Sequence, residues 1–183
     1  SPFLPTNKFL QIMHNGIEFF TATCLNWQPL LLADSRKDIV MNSLRFMVED
    51  KRIWLYAFVI MPNHIHLLWS KQEAWKDKNT KHMFLKFTAQ QLKFNLIDSR
   101  QNEELMKYKS TQQDRAYHFW ERRPYVATMF NKKVAEQKID YIHENPVKAD
   151  LCKQPEHYYY SSARYYELNI DDWGFITHYA EHI

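Results

Sequence analysis

Two histidines one residue apart, His64 and His66, are the first residues of this chain whose types and spacing suggest chemistry. They follow the tripeptide Met-Pro-Asn and open an apolar run that ends at Ser70. Side chains alternate between the two faces of an extended strand, so both imidazoles lie on one face. Burying two imidazoles on an apolar strand is costly without partners, and one divalent metal ion would engage both. The spacing alone leaves open a pair hydrogen-bonded in the core or placed on a solvated face.

A second candidate group lies in a helix predicted over residues 131–145. Tyr141 and Asn145 are four residues apart, so they share one helical face and place a phenol beside an amide. We predict that this helix ends at Pro146, because the residue before a proline disfavours helical geometry. Asn145 would then lie at the negative end of the helix dipole, where a cation is favoured. His143 points about half a turn away from Tyr141 and is not counted as a partner. From spacing alone, a helix tyrosine beside an apolar face is more often a packing residue than a nucleophile.

The elements that must position these residues follow from the apolar periodicity. A strand is predicted at 17–24, a helix at 35–50, a hairpin of strands at 53–60 and 65–70, a helix at 80–97 and strand character at 116–130. This order matches the split βαβ, ferredoxin-like pattern. The predicted fold class is therefore α+β, with helices covering one face of a mostly antiparallel sheet. The apolar content of the hairpin predicts a position near the middle of that sheet.

Three segments stand outside this pattern. Residues 1–15 have no clear period and are interpreted as an arm or an early strand. Residues 98–115 are predicted to be a polar, mobile loop. The aromatic tail, 147–183, is expected to wrap back on the sheet and to complete the core rather than to cover a DNA groove.

The composition favours a single domain, 1–183, of a globular protein. The chain has 183 residues, of which 45% are hydrophobic, and only 2 are glycine. Cys24 and Cys152 have no metal-ligand spacing, which favours a reducing cytoplasm. No signal peptide is visible, and the longest apolar run is too short for a membrane span, so no membrane association is expected. A formal net charge of +3 permits nucleic-acid binding without requiring it.

Five stretches together resemble one family. They are MPNHIHLLW, FLKFTAQQLKF, FWERRPYVATMF, YIHENPVKADL and YYYSSARYY, and they resemble the REP-associated tyrosine transposases, of the single-tyrosine branch of the HUH nuclease superfamily. The resemblance covers roughly residues 16–166, the predicted core of the domain. The His-Ile-His element and the Tyr-x-x-x-Asn-Pro-Val element, about 75 residues later, occur in the order of the family. The resemblance implies an HUH-type fold, with the histidine pair on a central strand and the tyrosine on a helix beside it.

The resemblance also implies roles for the site residues. His64 and His66 would bind a divalent metal with Asn145 as the third ligand, and Tyr141 would be the nucleophile. Two imidazoles and an amide oxygen are compatible with Mg²⁺ or Mn²⁺, and imidazole favours Mn²⁺. The implied activity is that of a transposase that cleaves and rejoins hairpin-containing single-stranded DNA through a 5′-phosphotyrosine. A free tyrosine titrates near ~10, so it needs a metal, a cationic neighbour or a base, which the sequence does not identify.

Basic residues near both halves of the site are the predicted DNA contacts. Basic groups bind phosphates, and interleaved aromatic rings such as Trp75, Trp120 and Tyr125 stack on unpaired bases. A solvated surface is the alternative for each of these charges. The candidate DNA-binding residues are Lys86, Lys93, Arg122, Arg123 and Lys148.

Two other functions remain as alternatives. One is a domesticated DNA-binding protein that uses the fold without cleavage, although such a protein has no need of the complete set of four site residues. The other is an unrelated metal hydrolase with a His-x-His site, which would lack the carboxylates that such sites usually recruit. The sequence also leaves open whether the protein is a monomer or a homodimer that exchanges the tyrosine helix.

Overall fold

The computed structural model describes residues 16–183, so the arm or strand expected in 1–15 lies outside the described part of the chain. A four-stranded antiparallel sheet forms its centre, in the order β2-β3-β1-β4. The strands are β1 (Glu18–Thr23), β2 (Ile53–Ile60), β3 (His64–Lys71) and β4 (Tyr125–Thr128). The helices are α1 (Asp34–Glu49), α2 (Thr80–Asp98), α3 (Asn102–Met106), α4 (Lys132–Lys148) and α5 (Ala163–Glu167).

The strand order confirms the predicted split βαβ arrangement. β3 pairs antiparallel with both β2 and β1, so β1 and β2 run parallel to each other with β3 inserted between them. β4 pairs antiparallel with the other side of β1. The sequence between β1 and β2 contains α1, and the sequence between β3 and β4 contains α2. This is the ferredoxin-like topology.

The helices cover both faces of the sheet, and the prediction of one covered face was wrong. Phe20 and Leu67 belong to the core formed with α1 and α2. Phe19 and Leu68, their neighbours in sequence, belong to a second core formed with α4. Successive strand residues point to opposite faces, so central strands that are apolar at every position need a cover on each side. α4, the helix of Tyr141, packs on the second face.

The C-terminal tail covers the free edge of β2. The expected central position holds for β3, whereas β2 lies at the edge of the sheet. Ile60 N donates to Tyr160 O at 2.9 Å, and Ser162 N donates to Phe58 O at 3.0 Å. These bonds satisfy backbone groups that an edge strand otherwise exposes. The tail therefore wraps back on the sheet as predicted, and it explains why an edge strand is as apolar as β2.

Pro146 lies inside α4 rather than at its end, which corrects the predicted boundary. A proline removes one N–H from the helix, and this one lies in the last turn, where little of the helix follows it. The Pro146 ring is buried, and the backbone continues with Ala149 N donating to Asn145 O at 3.1 Å. Asn145 is therefore held within the helix, with close to one turn after it, instead of at the terminal position.

The segment 98–115 is more ordered than the predicted polar loop. It contains α3, and Leu105 and Tyr108, three residues apart, are buried. Tyr108 stacks on Phe119 with 5.1 Å between ring centroids. The isolated apolar residues in a polar stretch anchor the segment on the core of α1 and α2.

None of the helices in the described part of the chain combines the length and the apolar character that crossing a bilayer requires.

Ser162 should be a stabilising contact between the tail and the sheet. Its buried hydroxyl accepts a bond from Phe58 N at 3.0 Å and lies 2.8 Å from His143 Nε2. Ser162→Ala leaves these buried groups without a partner, so we expect a loss of about 2–4 kcal/mol in the free energy of unfolding. Equilibrium urea denaturation measures it. Ser99→Ala, at an exposed serine, is the matched control and should cost about 0.5 kcal/mol or less. Equal losses in the two variants would contradict this account of the tail.

Candidate functional site

The structure brings the four predicted site residues together where α4 crosses the sheet. The Nε2 atoms of His64 and His66 both point at the side chain of Asn145. His64 Nε2 lies 3.2 Å from Asn145 Oδ1, and His66 Nε2 lies 3.2 Å from Asn145 Nδ2. The two imidazole rings are 4.8 Å apart between centroids. Two ring nitrogens and one amide therefore converge on one point between β3 and α4.

The outer ring nitrogens of both histidines are held by oxygen atoms. His64 Nδ1 lies 2.7 Å from Asn63 Oδ1, and His66 Nδ1 lies 2.7 Å from Thr21 Oγ1. Thr21 reaches His66 because the two residues are paired across β1 and β3. An Nδ1–H bonded to oxygen leaves the Nε2 lone pair free, and metal-binding histidines are typically oriented by such a second contact.

Burial keeps both imidazoles neutral. Desolvation lowers the pKa of His66 to about 3, and the charges of His64 and Lys138 lower it further in the same direction. Desolvation also lowers the pKa of His64, against the opposing effect of the Asn145 amide oxygen that faces its Nε2 atom. Neutral imidazole is the form that binds metal ions. The histidine pair is therefore in the protonation state of a ligand at neutral pH.

The donor set fits a divalent cation. No group of three or more His, Cys, Asp or Glu residues able to hold a metal occurs within residues 16–183. A metal site on the histidine pair must therefore use another type of donor, and the Asn145 amide is the one that both Nε2 atoms face. Two nitrogens and one amide oxygen suit Mn²⁺, and Mg²⁺ more weakly. The ligand roles remain predictions.

Tyr141 lies beside this group and is exposed to solvent. The residue is 42% exposed, and its ring packs edge-on against His66 at 5.3 Å and against Phe19 at 5.9 Å. Phe19 also stacks on His66, at 5.3 Å and 21°. The rings of His66 and Phe19 hold the tyrosine ring against the histidine pair, while the residue stays partly exposed.

Two lysines lie beside the tyrosine ring. Lys138 Nζ is 5.6 Å from the Tyr141 ring centroid, and Lys148 Nζ is 5.7 Å from it. Lys138 also lies 4.7 Å from the centroid of Phe19. The sequence reasoning missed Lys138, although its position three residues before Tyr141 predicts a shared helical face. It also missed Thr21 and Asn63. Asn63 adjoins the histidine pair in sequence, but only the strand register reveals Thr21.

The structure separates the predicted DNA contacts into two groups. Lys148 is exposed beside Tyr141, and Arg122 and Arg123 are exposed in the segment before β4. Arg122 hydrogen-bonds Gln112 and forms an ion pair with Asp114 at 3.4 Å, so its charge is partly compensated. Lys86 and Lys93 lie on α2, which packs on the opposite face of the sheet from α4. These two lysines are not brought to the site.

Comparison with known proteins agrees with the fold and the resemblance described above. The fold is similar to that of a REP-associated tyrosine transposase solved in complex with a REP hairpin. That structure is 20% identical to this chain, with a TM-score of 0.58, and the match covers 88% of this chain and 82% of the other. A REP-associated tyrosine transposase of Escherichia coli K12 is 24% identical over 166 residues, which are 91% of this chain and 78% of the relative. No family model matches the chain. The resemblance inferred from the sequence motifs is thus confirmed.

Thr21 should stabilise the orientation of His66. Thr21→Val keeps the shape of the side chain but removes the oxygen 2.7 Å from His66 Nδ1. We expect a loss of about 1–3 kcal/mol in the free energy of unfolding, because the buried ring nitrogen is left unpaired. Chemical denaturation of the metal-free protein measures it. Thr23→Val, the same change on the same strand face but away from His66 Nδ1, is the control. An equal effect of both substitutions would show that the Thr21 contact has no special role.

Proposed function

We propose that this protein is a metal-dependent strand transferase that cleaves and rejoins single-stranded DNA through a tyrosine. The observation that carries the proposal is the convergence of two imidazole nitrogens and one amide next to the exposed ring of Tyr141. A DNA-binding protein without cleavage has no need of such a constellation. The similarity to a transposase whose structure was solved with a bound REP hairpin supports DNA as the substrate.

His64, His66 and Asn145 would hold the divalent ion, Mg²⁺ or Mn²⁺. When bound there, the ion would supply Lewis-acid stabilisation to the negative charge of the scissile phosphate. The protein contributes a fixed ligand geometry. Thr21 and Asn63 hold the outer nitrogens. Because both imidazole rings are neutral, neither has to lose a positive charge before an ion binds.

Tyr141 would be the nucleophile. Its phenol oxygen attacks the phosphorus atom, the new O–P bond forms, and the bond from phosphorus to the 3′ oxygen breaks. The phenol gives up its proton and the departing 3′ oxygen takes one up, both through solvent, so the DNA is left with a 3′-hydroxyl on one side and a 5′-phosphotyrosine on the other. Attack by a 3′-hydroxyl on the phosphotyrosine reverses these bond changes and rejoins a strand. Each step exchanges one phosphate ester for another, so no nucleotide cofactor is needed.

Lys138 and Lys148 would bind the phosphate groups on either side of the reacting one. Both ammonium groups lie beside the Tyr141 ring, where the chain of a bound strand must pass. Positive charge at this place lowers the energy of the phosphate as negative charge develops in the transition state. Arg122 and Arg123 are the candidates for contacts farther along the strand.

A single chain would form the whole site, because Tyr141 packs against the His66 of its own chain. We therefore favour activity as a monomer. A homodimer that exchanges α4 between subunits would form the same contacts with the partner's helix.

Tyr141→Phe should abolish covalent attachment to DNA and preserve DNA binding. Phenylalanine keeps the ring that packs on His66 and Phe19 but has no attacking oxygen. Incubation with Mn²⁺ and a hairpin-bearing single strand, followed by denaturing electrophoresis, measures the adduct. Tyr159→Phe, at another half-exposed tyrosine, is the matched control and should retain it. An adduct that persists in Tyr141→Phe would contradict the proposed nucleophile.

Mn²⁺ should raise the melting temperature of the protein through the histidine pair. Binding to the folded state alone adds about 2.7 kcal/mol at 100 times the dissociation constant, or about 5–10 °C for a chain of this size. His66→Ala should remove this shift, since it deletes one ligand. His82→Ala, at an exposed histidine on α2, should keep it. The metal site would be wrong if His66→Ala retained the full Mn²⁺-dependent shift in a thermal denaturation series.

A further inference from the structure

Trp27 is a large aromatic residue that the chain holds exposed beside the candidate metal site. Its side chain is 62% exposed, and its ring lies 5.8 Å from that of His64, edge to face. A tryptophan on a surface is ordinarily found with its ring at least partly covered, since burying that ring is strongly favourable. Here the contact with His64 leaves most of the residue exposed.

The backbone at this point is strained. Asn26 and Trp27 adopt φ values of 54° and 56°, the left-handed region, in succession. This conformation is uncommon for any residue other than glycine and is an outlier for a bulky side chain. Residues kept in such conformations persist only where the surroundings hold them, and they cluster at functional sites.

Hydrogen bonds from three directions hold this turn in place. Asn26 N donates to the Glu121 carboxylate at 2.7 Å, Leu25 N donates to Phe119 O at 2.8 Å, and Cys24 N donates to Asn63 O at 2.9 Å. The turn is thereby tied both to the segment that carries Arg122 and Arg123 and to the residue before His64. Its position relative to the histidine pair is therefore rigid.

We propose that Trp27 is a stacking platform for one unpaired nucleobase of the DNA strand next to the candidate active site. This inference rests on the proposed function, since it needs a single strand at the histidine pair. An exposed indole stacks on any base, and basic side chains beside it bind the backbone phosphates. The exposed Arg122 and Arg123 follow directly after Glu121, the residue that anchors the turn. The platform would orient the nucleotide beside the reacting phosphate while Tyr141 approaches from the other side of His66.

The test is a combination of protein and DNA changes in the Tyr141→Phe background, in which cleavage plays no part. The probe is a fluorescein-labelled single strand with one hairpin flanked on both sides by unpaired nucleotides, and its affinity is measured by anisotropy. Trp27→Ala should weaken binding by roughly 5- to 150-fold, the range of one lost base–aromatic stack. An abasic nucleotide at the stacked position should weaken DNA binding by the parent protein by a similar factor. The same nucleotide should weaken binding by Trp27→Ala by about two-fold or less. Trp27→Phe should retain most of the affinity.

Two further variants separate stacking from a structural role. Trp27→Gly relieves the left-handed strain, so its melting temperature should equal or exceed that of the parent while its DNA affinity falls as for Trp27→Ala. Phe87→Ala, at a half-exposed ring on α2, should leave the affinity unchanged. The proposal would be overturned if Trp27→Ala and Trp27→Gly bound the strand as tightly as the parent protein. It would also be overturned if an abasic nucleotide, at every position tested, weakened binding to Trp27→Ala as much as binding to the parent. Failure of the proposed cleavage would appear instead as a missing adduct in the protein with Tyr141 intact, with the affinity data unaffected.

Discussion

The contact between the Asn145 amide and the two Nε2 atoms is the interaction on which the site depends. It joins β3 to α4 across the interface of sheet and helix, with 3.2 Å to each histidine. The amide itself supplies little binding energy. Its importance lies in geometry, because it fixes the rotation and depth of α4 over the histidine pair. The same placement sets the Tyr141 ring against His66, one helical turn earlier.

The rest of the fold keeps this contact in place. Phe19 packs against both His66 and Tyr141, and the buried residues Ile139 and Ile142 attach α4 to the sheet. The C-terminal tail closes the edge of β2, so the sheet that carries the histidines has a covered flank. A chain with only two glycines has few backbone positions of unusual freedom. The surrounding hydrogen bonds offset the cost of the left-handed backbone conformations of Asn26 and Trp27.

Much of this arrangement could be predicted from the sequence, and the reasons for the exceptions are physical. Within residues 16–183, apolar periodicity predicted the four strands and the long helices, because it reflects burial directly. The sequence did not predict that helices cover both faces of the sheet, because apolar periodicity does not indicate on which face a helix packs. Pro146 was read as a helix end, whereas burial of its ring within the last turn outweighs one lost hydrogen bond.

Contacts that depend on strand register or on local backbone conformation could not be predicted from the sequence. Thr21 meets His66 only because β1 and β3 pair in one particular register, over 45 residues of separation. The lysines Lys86 and Lys93 follow the histidine pair in sequence but lie on the far face of the sheet. Trp27 gives no periodic signal, and its exposure follows from a strained turn.

The most direct measurement is the anomalous diffraction of Mn²⁺ in crystals of the protein. One Mn²⁺ peak is predicted within about 2.5 Å of His64 Nε2, His66 Nε2 and the Asn145 amide oxygen of a single chain, with the Tyr141 hydroxyl of the same chain facing it. A peak bound to other residues, a tyrosine from a second chain, or an empty histidine pair in crystals saturated with Mn²⁺ would contradict the account.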